Sequence, residues 1–99
     1  MTKPIGPLPP VHPGEVLQQE FLEPLALTPY ALAKACHVPR TRIERLARCE
    51  TPVTADTALR LARYFGTTPQ FWMNLQSNYE LAVATDRTEL SHISPRDAA

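Results

Sequence analysis

Apolar residues recur at helical spacing along most of the chain, and threonine, proline and glycine divide that pattern into five segments. The first covers residues 13 to 22, where Val16, Leu17, Phe21 and Leu22 form one apolar face. Pro24 closes it, because a proline excludes the α region from the residue before it. Thr28 and Pro29 open a second helix: the hydroxyl accepts from a free backbone N–H, and proline suits the first position, where no N–H is needed. Leu32, Ala33 and Cys36 make the inner face of this helix small and apolar, and Val38 plugs the corner that follows. Ile43, Leu46 and Ala47 define a third helix over residues 39 to 48. Thr54 caps a fourth over residues 54 to 66, ended by Gly66 at the position that needs positive φ. Its predicted buried stripe is Leu59, Ala62 and Phe65, flanked by Ala58 and Leu61, with Arg60, Arg63 and Tyr64 outward.

Thr68 and Pro69 repeat the capped start, and a fifth helix is predicted over residues 69 to 84. Its apolar side chains go more than halfway round, so one face cannot hold them all. A second copy of the chain is expected to cover part of it, which makes Phe71, Trp72, Leu75 and Tyr79 the predicted dimer interface. Residues 1 to 11 carry Pro4, Pro7, Pro9 and Pro10, which remove donors and fix φ, and read as an extended, flexible N-terminal arm. Residues 85 to 99 lose the periodicity and read as a flexible tail. The fold class expected is all-α, a five-helix domain over residues 12 to 84.

Residues 28 to 48 carry the function. Two short helices joined by a tight turn, with alanine, valine and isoleucine five residues apart at Ala33, Val38 and Ile43, are the packing pattern of a helix-turn-helix. Outward on its second helix stand Arg40, Thr41, Arg42, Glu44, Arg45 and Arg48. Five basic residues face one acidic residue between Lys34 and Arg48, although the whole chain balances ten of each sign. A basic element on a neutral chain is an electrostatic footprint for a polyanion: phosphate contacts supply affinity, and groove-edge contacts supply sequence preference. That reading needs these arginines to be available to duplex DNA. Arginines folded against the chain's own carboxylates would count against it, leaving a protein-binding module that acts by occluding a partner.

Composition narrows the alternatives. A chain of 99 residues suffices for one domain that buries about 60–65% of its unfolded surface. No apolar run approaches the roughly 18 residues of a membrane span, and the proline-bearing start does not resemble a signal peptide, so a soluble, cytoplasmic protein is expected. Cys36 and Cys49 are too few for a disulfide framework and read as reduced thiols, and His12, His37 and His92 lie near no ligand-spaced partners. No metal, cofactor or catalytic constellation is expected: the chain has no Gly-rich phosphate loop, nucleophile elbow or HExxH. An acidic first helix, with Glu15, Glu20 and Glu23, is expected to pack away from nucleic acid.

Two stretches carry a resemblance. HPGEVLQQEFLEPLAL, and VTADTALRLARYFGTTPQFWMNLQSNYELAVA after the motif, resemble the HigA (VapI-like) family of antitoxins, a branch of the XRE-type, lambda-repressor-like helix-turn-helix proteins. The resemblance implies a homodimer that represses its own operon by binding a palindromic double-stranded operator DNA. It also implies binding of a cognate HigB-like, mRNA-cleaving toxin. Carried onto this chain, it makes residues 39 to 48 the recognition helix: Arg40, Thr41 and Arg45 toward base edges, Arg42 and Arg48 nearer phosphates, and Thr28 and Tyr30 at the backbone. The chain departs from the family in three places. His37 stands where a glycine is usual at the corner, Arg48-Cys49-Glu50-Thr51 replaces a basic Asn-Gly-Lys-Arg loop, and Pro29 occupies a common polar contact position.

Overall fold

A computed structural model describes residues 9–97. Those residues form five helices with no strand among them, in the order the pattern predicts. Helix α1 begins as an α-helix over Pro13–Val16 and continues without a break as a wider π-helical winding over Leu17–Leu22. Helices α2 (Pro29–Cys36) and α3 (Arg40–Ala47) form the helix-turn-helix, followed by α4 (Ala55–Phe65) and α5 (Pro69–Arg87). The π winding has a packing consequence. Five residues span about 140° more than one turn of an α-helix but little more than one turn of a π-helix, so Leu17 and Leu22 both reach the core. The Glu23 N–H donates to the Gln18 carbonyl at 3.0 Å, and the Leu27 N–H to that of Leu22 at 2.9 Å, with the same five-residue spacing.

The predicted caps form. The hydroxyls of Thr28, Thr54 and Thr68 accept from the N–H groups of Ala31, Thr57 and Phe71 at 3.1, 3.3 and 3.1 Å, and Gly66 ends α4 at φ 75°. The core joins all five helices through Leu17, Leu22, Leu32, Ala33, Ile43, Leu46, Leu61 and Trp72, with Val38 packed against it at the corner.

Three expectations change. Leu59, predicted on the buried stripe, is 59% exposed, while Ala58, Leu61 and Ala62 fill the inner face of α4. The stripe is rotated because α4 packs against both α5 and α2, which draws Leu61 inward and leaves Leu59 outside. Trp72, predicted at a dimer interface, is fully buried in its own chain, tilted against Phe21 and Phe65, edge-on to Phe71, and donating its indole N–H to Thr67 Oγ1 at 2.8 Å. Helix α5 also runs on to Arg87, three residues beyond its predicted end. Of the predicted arm, residues 1–8 lie outside the described residues, as do 98 and 99 of the tail.

The opening HPGE seats α1 against α3, where a Cβ on Gly14 would stand 1.8 Å from the Leu46 carbonyl oxygen. His12 Nδ1 accepts from the Gly14 N–H at 2.9 Å, and its ring meets Tyr79 of α5 edge-on, with centroids 4.8 Å apart. Accepting at Nδ1 requires the neutral ring. Burial pushes the His12 pKa below its ordinary 6.5, with the Glu15 carboxylate working weakly the other way. The folded chain therefore binds this proton less readily than the unfolded chain. Stability contributed by neutral His12 is complete above the unfolded value, falls as pH drops below about 6.5, and stops falling once the folded value is passed. Urea unfolding at about pH 5 and about pH 8 should show this loss in the native chain. His12→Asn, which can accept the same N–H without titrating, should lessen it.

Candidate nucleic-acid interface

Helix α3 buries Ile43 and Leu46 and turns its polar side outward. Its entry is set by His37, which adopts the left-handed conformation at φ 58° and ψ 46° as the C-cap of α2. An L-residue held there costs roughly 1–2 kcal/mol, a cost glycine avoids. The corner carbonyls are tied down: Arg60 Nη1 donates to the Cys36 carbonyl at 2.8 Å and to that of His37 at 3.4 Å. Cys49, just past α3, is also left-handed at φ 63° and starts the chain's turn toward α4.

Arg40, Thr41, Arg42, Arg45 and Arg48 are all exposed, and Glu44 is half-buried. Thr41, Arg42 and Arg45 line a groove of about 360 Å³ closed on its other side by Thr51, Pro52, Thr54 and Thr57. Tyr30, 54% exposed, lies beneath the Arg40 guanidinium at 5.8 Å from its ring centre. Thr28 stands at the start of α2, its hydroxyl engaged in the cap. Of the predicted dimer residues, Phe71 is 37% exposed, Leu75 and Tyr79 are half-buried, and part of the Tyr79 ring is covered by His12.

The basic face is not bare. Arg40 pairs with Glu44 at 3.2 Å, Arg48 with Glu50 at 3.0 Å, and Arg42 with Asp56 of α4. Arg45 makes no ion pair among the described residues. The paired arginines keep 40–60% of their side-chain surface in water. Isolated exposed pairs such as Arg40–Glu44 and Arg48–Glu50 are weak and screened by salt, whereas Arg42 shares Asp56 with Arg60 in a small network. The pairing therefore orders these side chains without withdrawing them from a ligand. Glu50, a carboxylate in the segment that replaces the family's basic loop, spends its charge on Arg48.

Asp56 and Arg60 escaped the sequence reading as parts of this site. Their i,i+4 spacing was visible and could have suggested the pair at 2.9 Å, but nothing local joins Asp56 to Arg42, fourteen residues earlier. Buried Gln76 was missed too. Its Oε1 accepts from the Val53 N–H at 2.8 Å and its Nε2 donates to Glu80 at 2.8 Å, pinning the α3–α4 connection to α5. Among the described residues, no cluster of His, Cys, Asp and Glu could hold a metal ion, and no helix is long and apolar enough to cross a membrane.

Fold and basic groove together define a helix-turn-helix protein, and the family described as helix-turn-helix matches residues 19–72. The chain is 47% identical over 89 residues to virulence-associated protein I of Dichelobacter nodosus, covering 89% of this chain and 82% of the relative. A Pseudomonas aeruginosa protein in complex with its operator DNA superposes with a TM-score of 0.86 at 44% identity, covering 88% of this chain and 97% of that one. The P. aeruginosa antitoxin HigA, solved with the higBA promoter, gives 0.80 at 43% identity over 87% of this chain and 96% of that one. This chain belongs to the HigA family of helix-turn-helix proteins.

Proposed function

We propose that this chain is the antitoxin of a type II toxin-antitoxin pair in the cytoplasm. As a homodimer it represses its own operon by binding a palindromic operator, and it neutralises a HigB-type mRNA-cleaving toxin by binding it. The observation that carries the DNA half is the groove beside α3, where Arg45, without an ion pair among the described residues, stands between Thr41 and the wall formed by Thr51, Pro52, Thr54 and Thr57. Relatives of the same fold are solved on operator DNA. Arg40, Thr41 and Arg45 address base edges, with Glu44 holding Arg40. Arg42 and Arg48 address phosphates, and Thr28 and Tyr30 flank the backbone. Two half-sites about one helical turn apart need two copies of α3. One side of α5 supplies the contact through Phe71, Leu75 and the edge of Tyr79.

A second reading, a toxin-binding module that leaves DNA alone, draws on the three arginines that pair with the chain's own carboxylates. Co-expression with the toxin gene and a reporter under the chain's own promoter separates the two. The repressor silences the reporter and rescues growth, whereas the module only rescues growth. Arg45→Ala is expected to lose about 1–3 kcal/mol of operator discrimination while keeping rescue, and log affinity should fall by about 0.9 per phosphate contact for each unit of log salt. Unchanged affinity and sequence preference in Arg45→Ala would remove this residue from the interface.

A further inference from the structure

Arg42 differs from the other arginines of α3 in where its partner comes from. Arg40 and Arg48 pair with carboxylates close by in sequence, but Arg42 reaches Asp56 in the first turn of α4. The same Asp56 oxygen, Oδ2, accepts from Arg60 Nε at 2.9 Å, and Arg60 reaches on to the carbonyls of Cys36 and His37. One carboxylate thus links the outer side of the recognition helix, the start of α4 and the left-handed corner. The linked group, two guanidiniums on one carboxylate, retains a net positive charge toward solvent. Asp56 is itself steadied there, since a carboxylate in the first turn of a helix meets the positive end of its dipole.

We infer that Asp56 is a positioning residue for sequence discrimination: it holds Arg42 against α4 as one wall of the groove that also contains Thr41 and Arg45. The inference rests on the DNA-binding reading above. A free arginine on an exposed helix sweeps many rotamers and can reach whichever phosphate lies nearest, in any sequence. An arginine already held in one place gives up less freedom on binding, and rewards only a duplex whose backbone or bases meet it there. Asp56 also cancels part of the Arg42 charge, which lowers attraction to duplexes of every sequence. The first effect widens the gap between the operator and other DNA, and the second weakens binding to both alike.

The test uses the full chain, a duplex selected by the native protein from a random-sequence pool, and a scrambled duplex of equal length. Asp56→Asn is expected to bind the scrambled duplex more tightly and to reduce the selected-to-scrambled affinity ratio by about tenfold. The salt dependence on scrambled DNA should steepen by about 0.9 per protomer as each freed Arg42 finds a phosphate. Asp56→Glu, which can still accept from Arg42, should recover part of the ratio. In an Arg42→Ala background, Asp56→Asn should change the ratio no further, because the carboxylate then has no recognition arginine to hold. A ratio and salt slope unchanged by Asp56→Asn, or equal losses in the presence and absence of Arg42, would overturn this inference alone. A native chain that selects no duplex overturns the DNA-binding reading and this inference with it.

Discussion

Replacing Trp72 with alanine is expected to lower the stability of the chain by about 3–5 kcal/mol, the range for deleting a large aromatic side chain from a packed core. The indole is fully buried, sits among Phe21, Phe65 and Phe71, and satisfies its N–H on Thr67. Alanine leaves a cavity bordered by three rings that cannot all collapse into it, and strands no compensating contact in exchange. For a domain of this size each kcal/mol shifts the melting temperature by about 4–8 °C, so circular-dichroism melting should drop by roughly 12–40 °C. Domains of this kind hold only about 5–15 kcal/mol in all, so the loss is a large fraction of the total. A Trp72→Ala chain that keeps its melting temperature but loses self-association would return this residue to a dimer interface.

Gly14→Ala should be far more damaging than the same change at Gly66. A Cβ on Gly14 would stand 1.8 Å from the carbonyl oxygen of Leu46, a backbone atom that cannot rotate away, and 3.2 Å from His12 Nδ1. Relief requires α1 to lift from the end of α3, so overpacking of about 1–3 kcal/mol should appear as a lower urea midpoint at unchanged slope. The same displacement re-aims α3, and operator affinity should fall by more than the lost stability alone accounts for. An unchanged midpoint would mean that α1 does not touch the recognition helix as described. The contrast with Gly66 is instructive. A side chain there meets nothing within 4 Å, and the only cost is the left-handed backbone at φ 75°.

The antitoxin reading and the ion-paired face are compatible because of where the carboxylates sit. Glu44, Glu50 and Asp56 each hold one arginine on the water side of α3, and none fills the groove between Thr41 and Thr54. The loop that lacks the family's lysine and arginine contributes only uncharged Thr51 to that groove, so its affinity rests more heavily on α3. This is consistent with Arg45, the arginine of α3 that makes no ion pair among the described residues, being the residue whose loss is expected to matter most to recognition.

Much of this molecule follows from local rules. Helix starts at Thr28, Thr54 and Thr68, the stop at Gly66 and the Ala33, Val38, Ile43 corner depend on neighbours within one turn, and each stands where the periodicity places it. The outward set on α3 was equally readable, because helical spacing separates Ile43 and Leu46 from the arginines without reference to any other element. What the pattern could not resolve was which of two plausible faces turns inward. A helix apolar on more than half its circumference, such as α5, has no local reason to bury Trp72 rather than Phe71, and α4 none to expose Leu59. Those choices are made by the elements packed against them. The same holds for the contacts that join distant residues: Gly14 on Leu46, Arg42 on Asp56, Val53 on Gln76. Each exists because packing five helices around one core brings together groups that no periodicity relates, and it is these contacts that fix where the recognition helix points.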